Sequence, residues 1–228
     1  MTKVIPDDFH DEDLEEVKDK WYKRPSLFIL GVFMALLIVL MVVPYYGVAL
    51  DPNPVNIPSL QEVVSVIPNG NDGGNETIGE GNIYQYLELV DSNDVVVKQV
   101  ADRIASSACE SGQRVCHAKA LFFFVRDEFD YVGDPLAFEY VKSARLSLHS
   151  KGGDCDDASI LLASLLGAVG IRTRFVFVPG HVYVQAKIPE ALSRYQDDGW
   201  VNLDGTCSFC DFGEIALPYA RAEKRFVG

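Results

Sequence analysis

Leu27 to Val43 reads LFILGVFMALLIVLMVV, an apolar run without a single charge. At ~1.5 Å per residue, and extended by Pro44-Tyr45-Tyr46, such a run spans a bilayer's hydrocarbon core. A run with no polar face has no solvent-facing side, which argues against a helix at the surface of a globular core. Trp21 and Tyr22 before it, and Tyr45 and Tyr46 after it, suit the two water–lipid interfaces. Lys18, Lys20, Lys23 and Arg24 lie just before the run, and no Lys or Arg follows until Lys98. The positive-inside rule therefore puts the N-terminus in the cytoplasm and everything after Tyr46 outside the cell membrane. Gly47-Val48-Ala49 resembles a signal-peptide cleavage site. The long acidic leader DDFHDEDLEE and the length of the run, beyond the usual ~7–15 residues of a signal core, favour an uncleaved anchor. Gly31 and Ala35 form a weak small-xxx-small pair for a partner helix.

Downstream, composition changes. DPNPVNIPS is punctuated by proline, and NGNDGGNETIGEGN is too polar to bury a core. The expected organisation is a cytoplasmic acidic segment at 1–26, a lipid-contacting transmembrane helix at 27–46, a flexible linker at 47–82 and one domain at 83–228. Asn75-Glu76-Thr77 is a glycosylation sequon in that linker. The net charge of −13 and pI near 4.6 argue against a nucleic-acid partner, which requires a basic surface.

Within the domain, Val96, Val100, Ile104 and Ala105 recur at helical spacing from about Asn93. Gly112 ends that helix, and a second carries RVCHAKALFFFVRDEFDYV up to Gly133-Asp134-Pro135. LAFEYV is ambiguous. A helix after Cys155 places Ile160, Leu161, Leu165 and Val169 on a buried face and stops at Gly170. RTRFVFV and HVYVQAKI alternate as two strands joined at Pro179-Gly180, and WVNLD is a third short strand. Helices followed by an antiparallel sheet define an α+β domain.

The chemistry-bearing stretch is KGGDCDDASILLASLLGAVG. A thiol is nucleophilic as thiolate, and a helix start stabilises an anion through its unpaired N–H groups and dipole. Cys155 sits at such a start, where its own N–H can also face an oxyanion. His181, at the head of a strand, is the candidate base, and Asp204, ending WVNLD, is the candidate group to orient the imidazole. Asp154, Asp156 and Asp157 oppose this by surrounding the thiol with negative charge, unless they point outward and cap the helix.

GGDCDDASILLASLLGAVGIRTRFV, HVYV and WVNLDGT together resemble the three signature blocks of the transglutaminase-like superfamily, in its membrane-anchored prokaryotic or archaeal form. The likeness runs from about Val115 to Thr206, and AKALFFFVRDEFDYVGDP resembles the helix preceding the cysteine block. It implies a papain-like core, N-terminal helices on an antiparallel sheet, with Cys155 as nucleophile, His181 as general base and Asp204 as orienting carboxylate. It also implies a thioester enzyme acting on a protein or peptide substrate, a peptidase, amidase or acyltransferase, without cofactor or metal. Gly205 stands where many members have proline. The second oxyanion donor is not identified by these blocks; Tyr140 and His149 are only guesses. A superfamily fold can also persist as a non-catalytic surface binding or scaffolding module.

Five cysteines cannot all pair. Outside the cell, Cys109, Cys116, Cys207 and Cys210 can form two bridges, locally or crosswise, leaving Cys155 free. A zinc site on these four is the rival arrangement.

Overall fold

The structure, a computed structural model, describes residues 25–65, 83–135 and 140–228. The acidic leader with its basic and aromatic flank, the sequon, the Gly/Asn tract and most of LAFEYV lie outside the described residues. The chain divides into two compact units at Gly47 and Val48. In the first, α1 (Pro25–Leu50) leaves every described side chain from Ser26 to Val43 exposed. This helix is long and apolar enough to cross a membrane or to act as a signal sequence.

The second unit begins earlier than composition implied. Part of the expected linker is packed onto the domain. Asp51 and Asn53 accept hydrogen bonds from the buried Lys119 ammonium at 2.6 and 2.7 Å. Val55 N–H donates to Ala108 O at 2.8 Å. Ser59 then opens α2 (Leu60–Val64) with a capping box completed by Glu62, a device that satisfies two orphan donors at once. Leu60 and Val63 are buried, and Leu60 N–H donates to Glu128 at 2.9 Å. The segment is ordered by partners far along the chain, which composition does not report.

After the short α3 (Gln85–Leu89), Asp94 caps α4 (Val95–Ala108) by accepting from Val96 and Val97 N–H. The helix buries Val96, Val97, Val100, Ala101 and Ile104. Each large apolar side chain so buried contributes about 1.5–3 kcal/mol. The second helix, α5 (Arg114–Glu128), ends four residues before the predicted stop. From there Asp130 and Val132 N–H turn to Lys151 and Gly153 carbonyls, at 3.1 and 2.8 Å. That makes a two-residue parallel ladder between β1 (Asp130–Tyr131) and β2 (Gly152–Gly153). Between them lies α6 (Ala144–Ser150), an element absent from the sequence reading, capped by Ser143. Then comes α7 (Cys155–Ala168), whose Ile160, Leu161, Leu162, Leu165 and Leu166 are fully buried.

The sheet contains β3 (Thr173–Val178), β4 (His181–Lys187), β5 (Gln196–Asp197), β6 (Trp200–Leu203) and β7 (Arg225–Val227), with α8 (Leu217–Ala220) before the last strand. Its order is β5-β6-β4-β3-β7, antiparallel throughout. Val178 pairs with His181 across the two-residue turn, where Gly180 takes φ +72°, a left-handed value that glycine adopts without cost. Packing of α7 on β4 and β3, with α4 and α5 behind it, forms the main core. This is the expected α+β arrangement, helices layered on an antiparallel sheet.

Candidate active site

Two glycines shape the mouth of α7 because nothing larger fits. A Cβ on Gly152 would stand 2.7 Å from Asp130 O, and one on Gly153 would stand 2.1 Å from Asp157 Oδ2. Asp157 cannot readily give way, since it is fully buried and ion-paired to Lys142. Gly153→Ala should therefore cost about 1–3 kcal/mol through forced displacement at the helix start. Thermal unfolding would check it, and an unchanged midpoint would contradict the close approach.

The three aspartates divide their roles. Asp154 caps α7 through Asp156 N–H, at 3.3 Å. Asp156 and Asp157 do not point outward as expected but are 1% and 0% exposed. Burial, above all, pushes the Asp156 carboxyl well up, and its contact with Asp154 and the charge of Asp157 add to this. Tyr86 O–H donates to its Oδ2 at 3.2 Å, and Asp157 N–H to its Oδ1 at 2.7 Å. Burial also raises Asp157, against the opposing pull of Lys142, whose N–H donates to Oδ1 at 2.7 Å.

Cys155, the free cysteine among the five, is partly buried. Its thiol is pushed up to about 12, first by burial and then by Asp154 and Asp156, while the N–H groups of Val182 and of Cys155 itself pull the other way. The sulfur thus faces the residue next to His181. Ser159, one turn along, ties the same strand start by donating to Val182 O at 3.2 Å.

His181 Nε2 bonds Asp204 Oδ2 at 3.0 Å, both side chains being nearly enclosed at 8% and 2% exposed. Asp204 Oδ1 accepts from Thr206 N–H and O–H at 3.3 and 3.1 Å, which fixes the carboxylate. With Nε2–H given to Asp204, Nδ1 is the ring nitrogen left to take a proton. His181 and Asp204 are brought together directly. Cys155 meets the strand carrying His181 through backbone, and among the described residues no hydrogen bond joins its thiol to the imidazole.

Three neighbours were not foreseen. Tyr219 of α8 stacks on the His181 ring, centroids 4.4 Å apart at 19°. Tyr183, two residues along β4, lies on the ring at 6.3 Å. Tyr131, exposed on β1, is close enough to Cys155 and Tyr219 for their charges to raise it further than burial does alone. Of the earlier guesses, Tyr140 lies beside Lys142 and His149 is exposed on α6.

Cys109–Cys116 and Cys207–Cys210 are bridged locally, rather than crosswise or as zinc thiolates. Carboxylate oxygens of Asp154, Asp156 and Asp157 lie within 4.8 Å of one another, a spacing that suits a cation, although Lys142 and Tyr86 already engage two of these residues.

A helix start bearing cysteine, set against strands bearing a bonded His–Asp pair, is the layout of a papain-like domain. Residues 98–205 match the model of the Transglutaminase-like superfamily. No curated protein matches the chain. Solved structures similar to it include a candidate protease of Parabacteroides distasonis, 18% identical with a TM-score of 0.38. That likeness covers 45% of this chain, and the chain spans only 23% of that protein. Legionella pneumophila LapG is 16% identical with a TM-score of 0.32, covering 56% of this chain and 79% of LapG.

Proposed function

We propose that this protein is a membrane-anchored thiol enzyme that cleaves amide bonds of proteins or peptides through a thioester on Cys155. The observation that carries the reading is the enclosed His181–Asp204 hydrogen bond, on a strand packed against the helix that Cys155 opens. His181 Nδ1 takes the thiol proton as sulfur attacks the carbonyl carbon. The imidazolium then returns a proton to the departing nitrogen as the C–N bond breaks, leaving a thioester. Water resolves it by hydrolysis, and an amine would resolve it by acyl transfer. Hydrolysis is favoured because water needs no second binding groove. The Cys155 N–H, at the positive end of α7, stabilises the oxyanion. Residues 27–46 form the anchor in a cell membrane, and the basic residues before them keep the N-terminus inside and the domain outside.

A thiol raised to about 12 makes base assistance essential rather than optional. The same raised thiol, with no bond to the imidazole, also favours the second reading, a non-catalytic surface module. Iodoacetamide separates the two, because the other four cysteines are bridged. As an enzyme, the wild type should be alkylated at pH 7 at least ~10-fold faster than His181→Ala. In the variant the rate should keep climbing with pH to 10, with no plateau, because its thiol titrates far above neutrality. Equal rates in both proteins would overturn the enzyme reading.

A further inference from the structure

We infer that Tyr219 is a positioning residue for the imidazole of His181. It holds the plane of the ring with Nε2 toward Asp204, and it stabilises the ring when protonated. The inference rests on His181 acting as the base, but Tyr219 lies beyond the residues that match the superfamily.

The ring of Tyr219 lies nearly parallel to the imidazole, at 4.4 Å and 19°. Tyr183 closes on the ring less tightly, at 6.3 Å and 29°. A single hydrogen bond from Nε2 to Asp204 leaves the imidazole free to tilt about that bond. A stacked aromatic face removes that freedom, since tilting breaks the contact. Transfer of the thiol proton then makes the ring cationic, and a cation within ~6 Å of an aromatic face is attracted to it. The ring is thus braced in its plane and favoured in the state that proton transfer creates.

Tyr219 is itself anchored. Its N–H donates to Ala216 O at 3.0 Å, and its O accepts from Ala222 N–H at 3.2 Å. With Ile215 and Ala222 it packs on the buried Val176, Val178 and Tyr183. This small cluster is separate from the main core and lies beneath the imidazole. Among the described residues, the charged or titratable groups against the ring are Asp204 from the turn after β6, Tyr183 from β4 and Tyr219 from α8, while Cys155 of α7 interacts with Val182, one residue along β4. Tyr131, Asp154 and Asp156 stand near the sulfur. Most of these remain in place when only residue 219 is changed.

Tyr219→Phe and Tyr219→Leu, made in the full chain, test the inference. Phenylalanine keeps the aromatic face, whereas leucine keeps comparable apolar cover but no face, so burial changes little. Two readouts apply: the imidazole titration of His181 by NMR, and Cys155 alkylation as a function of pH. Tyr219→Leu should lower the imidazole midpoint by about half a pH unit and slow alkylation roughly 10-fold at pH 7. Tyr219→Phe should stay within about twofold of wild type, because the stacked face is retained. A leucine variant with wild-type titration and wild-type alkylation would overturn the inference. If alkylation proved indifferent to His181→Ala while Tyr219→Leu still lowered the imidazole midpoint, the enzyme reading would fail and the hold of Tyr219 on the ring would stand. A leucine variant that unfolds is replaced by Tyr219→Met, judged by the same two readouts.

Discussion

Cys155→Ala should reduce amide-bond turnover to the rate in buffer, while thermal unfolding moves by no more than a few degrees. The asymmetry has a physical source. In the proposed mechanism the sulfur is the atom that forms the thioester, and neither water nor a neighbouring hydroxyl replaces it. Loss of a nucleophile that works together with a base removes nearly all of the rate at once. Its contribution to stability is small, because the thiol is partly exposed and alanine removes one atom. Acyl-enzyme trapping against a peptide library, read by mass spectrometry, would supply the substrate and show the adduct at Cys155. A variant that still turns over would exclude the thioester. A fall of ten degrees or more would make Cys155 a structural residue.

Asp51→Ala is expected to have the largest effect on stability, about 3–5 kcal/mol, or roughly 6–20 °C in melting temperature. Lys119 is 2% exposed, with its ammonium 2.6 Å from Asp51 and also facing the Tyr195 and Phe212 rings at 5.1 and 5.6 Å. Removing the carboxylate leaves a buried charge with Asn53 as its remaining oxygen partner. Asp51 also accepts from Arg194 and the Tyr195 hydroxyl, at 2.6 and 2.9 Å. Burial would raise the Asp51 carboxyl, but Lys119, Tyr195 and Arg194 outweigh it and hold the group below the ordinary carboxylate range. Its stabilising contribution is therefore present above the ordinary carboxylate value near pH 4, and it is lost as pH falls through the depressed one. Near-UV circular dichroism of the detergent-solubilised protein would follow both effects. A shift of only a degree or two would mean that water reaches the pair.

The same contact shows where sequence reasoning loses its grip. The hairpin at Pro179-Gly180 and the helix behind Cys155 were legible because their signals are local: a turn dipeptide between alternating residues, and a cap before an apolar period. His181 and Asp204 were legible through the same strands. Asp51 to Val64 was read as linker because proline and asparagine dominate it, and its anchors, Lys119 and Glu128, lie on a distant helix. The inward turn of Asp156 and Asp157 was likewise invisible, since it depends on Tyr86 and Lys142 arriving from elsewhere. Tyr219 sits in a four-residue helix, too short to carry a period, and its partner His181 is distant in the sequence. The anchor and the triad roles remain proposals, because no local signal reports whether an imidazole will take a proton.

The Cys207–Cys210 bridge begins three residues after Asp204, where Cys207 N–H bonds the Asp204 carbonyl at 3.2 Å and Arg126 holds the Cys210 carbonyl at 2.9 Å. On the proposed reading, the site combines one free thiol with two bridged sulfurs a few residues from Asp204. Dithiothreitol, routinely added to rescue a sluggish cysteine hydrolase, works against this domain if it penetrates that far. What separates the two is depth: Cys207 and Cys210 are 6% and 2% exposed, while Cys155 is only partly buried. Assay buffers for this molecule are best chosen by how far the reductant can reach.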